Sequence, residues 1–388
     1  MPTGFGFKIK FGYRREAVVY APTWPGTAIA VNKLLPVLPG TDLDEVPQLE
    51  PDQSLDGKAS TRAHDLVGWT VGGRRPARLQ YEGLEELWLA ALGYMPFRKG
   101  GSPSGVTMPE LIAAGVSKHL FEIGDNPEDE GWLAGEGGWK AGDPLTAGQI
   151  KVRRLTLAED EQVAVSEYRS IRIARLSLRI QVTGVSLEVE TVGYDRNLAS
   201  AVNTAGVIGA LSLNAAPYAL FSQLAVRLGA FSTGTPLGSG DVIKIDEAEI
   251  TLENNLVRDQ RDSVTALRIV EPVRSGKLSV HVRLHLPRFT ALTHRDRLAA
   301  LTIGMADLKF TGGTIPGTAQ TYQCNVYLPR LVPSAAPVPV ADAGPLMQTL
   351  EFEGQAVTGA APAGFPSNEK NGPFMIETQN GNSAHALL

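Results

Sequence analysis

His281 and His285 stand four residues apart in KLSVHVRLHL, the spacing that on a helix would aim two imidazoles at one metal ion. Here Leu278, Val280, Val282, Leu284 and Leu286 alternate with Ser279, His281, Arg283 and His285, which makes the stretch a strand. On a strand the two rings lie about 13 Å apart along the axis, too far for a shared ion. The acidic run containing Asp125, Glu128 and Asp129 has some of the spacing of a calcium loop. Pro127 occupies a ligand position, however, so a solvated acidic loop is expected. A hydrolase reading would call on carboxylates such as Asp125 and Glu128, and no acid/base pair stands in a recognisable context. Cys324 is the sole cysteine and sits in the strand-like YQCNVYLP, where a core thiol is expected. No phosphate-cradling GxxxxGK[ST], no GxGxxG after a strand and no GxSxG elbow occurs. Trp69, Trp88, Trp132 and Trp139 could stack sugars or bases. Trp88 reads better as helix core, and Trp132 and Trp139 as anchors of a Gly-rich loop. The expectation is a chain without catalytic, cofactor or metal residues.

The elements that would position any such group are mostly strands. The 388 residues include 41 Gly and 26 Pro, which favours turns over long helices. A formal net charge of −5, with no dense basic block among aromatics, removes the footprint of a protein that grips nucleic acid. The N-terminal residues lack the apolar run of a secretory signal. The most apolar later stretch, 204–221, is broken by Asn214 and Pro217 and is too short to span a bilayer. A soluble protein made in the cytoplasm is expected.

One helix is distinct. In YEGLEELWLAALG, 81–93, Leu84, Leu87, Trp88 and Leu92 share a face, Glu85 and Glu86 fall in the first turn, and Gly93 is a stop. Strands are expected at 26–37, 64–72 and 75–82, a loop over 38–60, and a second helix at 108–123 inside an insertion spanning 98–150. The clearest hairpin is 175–192, with Leu176, Leu178, Ile180 and Val182 inward and a turn at Thr183 and Gly184. Its polar face carries Arg175, Arg179, Glu188 and Glu190, with Arg179 opposite Glu188. Strand, short helix and glycine then recur, through 277–286 and a helix over 289–304. An internal duplication follows, with one unit over 1–215, a second over 216–357, and a flexible or surface-draped tail over 358–388.

In this order the blocks resemble the tail tube proteins of long-tailed bacteriophages, in their larger two-module form. YEGLEELWLAALG, YRSIRIARLSLRI (168–180), ITLENNL (250–256), VRSGKLSVHVRLHL (273–286), VYLPRLV (326–332) and PLMQTLEFEGQAV (345–357) carry the resemblance. It implies a mainly β fold: two β-sandwich or barrel modules in tandem, each flanked by a short helix. It also implies a structural virion protein, not an enzyme, assembled in the host cytoplasm. Three copies would close a pseudo-hexameric ring. Rings would stack into the tail tube, whose channel passes double-stranded DNA without binding it tightly. The implied partners are further copies and the tail-tip or initiator, tape measure and tail terminator proteins. The loop bearing Asp125, Glu128, Asp129, Trp132 and Trp139 would then face outward or bridge rings. The competing expectation is a carbohydrate- or receptor-binding β-sandwich of the tail tip or fibre, using Trp132 and Trp139.

Overall fold

The computed structural model describes residues 9–19, 24–40, 42–51, 64–94, 110–123, 149–261, 267–289, 292–338, 346–366 and 372–382. In chain order it begins with β1 (Lys10–Val19), β2 (Lys33–Leu34), β3 (Asp44–Pro51), β4 (His64–Arg78), α1 (Glu85–Leu92), β5 (Gly93–Tyr94), β6 (Glu110–Ala113) and β7 (Val116–Ile123). Then come β8 (Gln149–Asp160), β9 (Val165–Gln181), β10 (Gly184–Gly193), β11 (Asp195–Asn197), α2 (Ala205–Ala210), β12 (Leu224–Ala230), β13 (Val242–Ile243) and β14 (Glu247–Glu253). The last elements are β15 (Ser279–Leu286), α3 (Thr293–Ala299), β16 (Gly304–Thr314), β17 (Thr321–Ala335), β18 (Gln348–Gly354) and β19 (Met375–Asn380). The protein is mainly β.

The antiparallel pairings follow one pattern twice. Strands β2, β1, β8, β9, β10, β4 and β3 are neighbours in that order. Strands β13, β12, β16, β17, β18, β15 and β14 repeat the order. Each set places its helix between its fourth and fifth strands along the chain. Both β9 and β17 are long because each serves two neighbour sets, pairing β8 or β16 with its first part and β10 or β18 with its last. The two sets meet where β9 pairs β14, from Arg175 with Glu253 to Gln181 with Glu247. One apolar core runs through both, including Leu176, Ile180, Ile250, Val282, Leu308 and Val326.

Several local expectations are corrected. Residues 108–123 do not form a helix. They contain the β6–β7 hairpin, turning at Ala114 and Gly115, where Gly115 has φ +74°. Among the described side chains of β7 only Lys118 is not buried, so the strand lacks the alternation that marks a half-exposed one. Its partner β19 lies more than 250 residues away. That partner also corrects the tail. All six residues of β19 are buried between β17 and β7, so this part of 358–388 is neither flexible nor draped on the surface. The two strands expected at 64–72 and 75–82 are the single β4, which runs on through Gly72 and Gly73. Of 26–37 only Lys33–Leu34 forms a strand, and the loop expected over 38–60 contains β3.

In the long hairpin Gln181 pairs with Gly184, so the turn is Val182–Thr183, one residue earlier than its sequence suggests. Val182 is therefore 66% exposed and not inward-facing. Arg179 lies opposite Ser186 and reaches Glu188 diagonally, at 3.8 Å. The helix expected over 289–304 is confined to Thr293–Ala299 and buries none of its residues. By contrast α1 is buried on every side, Glu85 and Glu86 included, because β7 and β5 pack on it as well as β1, β8 and β9. It is an internal helix with no solvated face.

Candidate functional site

Eight chain segments lie side by side in one run of sheet: residues 36–40 with Asp42, β4, β10, β9, β14, β15, β18 and the end of β17. The first is held on β4 by Leu38 N–H to Pro76 O (2.7 Å), Arg78 N–H to Pro36 O (3.0 Å) and Asp42 N–H to Arg74 O (3.2 Å). One face of the run is core. Leu187, Leu178, Ile250, Val282 and Leu350 are each at most 2% exposed there. The other face is polar over its six inner strands, each of which carries charge of a single sign. In order come Arg74 and Arg78 on β4, Glu188 and Glu190 on β10, and Arg175 and Arg179 on β9. Next are Glu247, Glu249 and Glu253 on β14, His281, Arg283 and His285 on β15, and Glu351 and Glu353 on β18.

Alternating signs set opposite charges against each other across the ladders. Arg179 lies 3.2 Å from Glu249, Arg175 lies 3.6 Å from Glu253, and Ser177 Oγ lies 3.1 Å from Thr251 Oγ1. Seven carboxylates stand against five guanidiniums on this face. These pairs are partly solvated, and each is worth under about 1 kcal/mol. Arg179→Ala is accordingly expected to move the thermal midpoint by no more than about 2 °C, measured by calorimetry. His281 and His285 both project from this polar face, and His285 Nδ1 lies 2.5 Å from Asp246.

Behind this sheet α1 is fixed at both ends by polar side chains from distant strands. At its C-terminal end Gly93 adopts φ +94°, and Arg153 and Asn254 donate to Ala91 O at 2.7 and 3.1 Å. Asn254 also donates to Ile173 O, so this residue of ITLENNL joins the second strand set to the helix of the first. At the other end Glu85 accepts from Gly83 N–H and from Asn380 Nδ2 (2.8 Å), with Lys33 at 3.7 Å. Leu84, Leu87, Trp88 and Leu92 are all at most 3% exposed.

His119 of β7 is buried beside this cluster, with Nε2 2.9 Å from Asn382 O. Burial lowers its pKa below 6.5, against the opposing pull of Glu85. Burial alone would raise the Glu85 carboxyl, but Lys33, His119 and backbone donors outweigh it and hold Glu85 below the ordinary carboxylate value. Both depressed groups bind protons more readily in the unfolded chain. Stability is therefore intact above pH 6.5, falls below it as His119 resists its proton, and falls again in the carboxylate range. His119→Gln is expected to flatten the stability profile between pH 7 and 5, as read from urea midpoints. The raised Glu16 and Glu159 act in the opposite sense but are common to both proteins.

The sole thiol, Cys324, is buried and pushed up to about 12, chiefly by burial, which makes it inert as a nucleophile. Residues 124–148 lie outside the described residues, and with them Asp125, Glu128, Asp129, Trp132 and Trp139. No described helix is long and apolar enough to cross a membrane. The polar face brings Arg175, Arg179, Glu188 and Glu190 together. The residues that sequence reasoning missed are Asn254 and Asn380, whose role depends on contacts across 163 and 295 positions.

The family model described as "Phage tail tube protein" matches residues 6–354. The chain belongs to that family. No curated protein matches it. The phage tail tube match covers both strand sets and the whole polar face, and it ends at Gly354, the last residue of β18. In this tail tube protein β19 therefore lies beyond the matched residues, although it completes the core around β7 and β17.

Proposed function

We propose that the protein is the major tube subunit of a phage tail. Two modules, 1–215 and 216–357, each supply four wall segments and one sixth of the ring, and three chains close a pseudo-hexameric ring. Stacked rings form the channel through which the genome leaves the virion. The observation that carries this reading is the eight-segment sheet, apolar toward the core, polar and charge-balanced on its other face, and open at both ends. As a channel lining, that face offers DNA no sustained basic surface to which counterion release would bind it. The match of strand order between the halves supports two equivalent modules, and therefore fewer chains per ring than wall units. The partners are further copies of this chain, the tail-tip initiator, the tape measure inside the growing tube and the terminator, assembled in the host cytoplasm.

Electron microscopy of the purified chain, alone and with a tail initiator, tests this. Hollow tubes with threefold rings are expected. A chain that stays monomeric under every condition overturns the proposal.

A further inference from the structure

We infer that the ring closes where residues 332–337 of one copy lie along residues 36–40 and 42–44 of the next, beside a groove lined by Phe11, Leu35, Pro36, Leu38 and Tyr218. This rests on the tube-subunit reading and specifies its self-contact. The internal β9–β14 join shows how one module meets the next, and the repeated pairings carry that join outward. Glu190 pairs with Arg175 as Glu353 pairs with Val332, and Glu188 with Ser177 as Glu351 with Ala335. Arg179 lies across from Ser186, and Thr349 N–H correspondingly reaches Pro337 O. Val332, Ala335 and Pro337 thus hold the places of Arg175, Ser177 and Arg179.

The opposite edge follows in the same way. Asp44 lies on Gly72, Asp42 on Arg74 and Leu38 on Pro76, as Glu253, Thr251 and Glu249 lie on β15. The seam between chains is then Val332 against Asp44, Ala335 against Asp42 and Pro337 against Leu38. Among the described residues neither outer edge has a strand partner.

The two kinds of seam differ in chemistry. The internal one is ionic and free of proline. The outer one carries Pro36, Pro39, Pro333 and Pro337, which cannot donate to a ladder. Such edges discourage indiscriminate pairing of single chains. Closure must then draw on apolar contact, and a groove of about 760 Å³ flanks the 36–38 edge to receive it.

The test is a cysteine pair at the positions equivalent to Ser177 and Thr251. The full-length chain carrying both Ala335→Cys and Asp42→Cys is assembled, oxidised and run on a non-reducing gel. Buried Cys324 stays silent. Covalent dimers and a closed trimer are expected from the double variant, and monomer from either single variant. Leu38→Asp is expected to melt within about 3 °C of the parent yet form no rings. Rings visible by microscopy without cross-links, or rings formed by Leu38→Asp, overturn the seam and leave the tube reading standing. An unmodified chain that forms no multimer overturns both.

Discussion

Trp88→Asp is expected to yield no folded subunit and no tubes. Trp88 is 1% exposed within a helix that is covered on all sides, so the new carboxylate has no route to water. Emptying a tryptophan site costs about 3–5 kcal/mol. Burying a carboxylate adds several more. The sum is comparable to the whole stability of a typical domain, about 5–15 kcal/mol. The disturbance also spreads along the backbone. Because α1 touches β1, β7, β8 and β9, its loss uncovers the apolar backs of strands on either side of the wall. Loss of the cooperative melt in circular dichroism, with the chain in the insoluble fraction, is the expected readout. Trp88→Phe, which keeps an apolar ring, is expected to fold with a lowered midpoint. A Trp88→Asp protein that melts like the parent and builds tubes would show that the helix is not core.

What could be read from the residues was whatever local chemistry decides. The spacing of Leu84, Leu87, Trp88 and Leu92 before Gly93 specifies α1, and the alternation in 175–192 specifies the long hairpin and its polar face. Resemblance in block order was enough to reach the family. The failures share one cause, which is burial imposed from a distance. In β7 both faces are covered, so its apolar residues run together and imitate a helix. In β19 the sequence MIETQN is polar enough to pass for a tail, yet Asn380 and Glu377 are buried because Tyr81, Glu85, Asn325 and Tyr327 meet them. Likewise the full burial of Glu85 and Glu86 could not be seen from the helix alone, where two acidic residues in a first turn indicate an exposed N-terminus.

Deleting residues 372–388 is expected to be the most damaging truncation, although it removes nothing that the family match spans. Phe374, Met375 and Ile376 are each at most 1% exposed. Their removal forfeits roughly 1.5–3 kcal/mol apiece as an upper bound. The deletion also strips a strand from between β17 and β7, leaving two edges with unmet backbone groups. The Asn380 donor to Glu85 goes with it, so a buried carboxylate at the start of α1 loses a partner that water cannot replace without entering the core. The thermal midpoint is expected to fall on the order of 10 °C, and the 110–123 hairpin to become the first site of proteolysis. A shorter deletion beginning at residue 383 keeps β19 and Asn382 and is expected to melt like the parent. Equal behaviour of the two truncations would mean that β19 adds nothing to the core. A selective loss in the longer one would establish the C-terminal strand as the clasp that ties the inserted hairpin of the first half to the second.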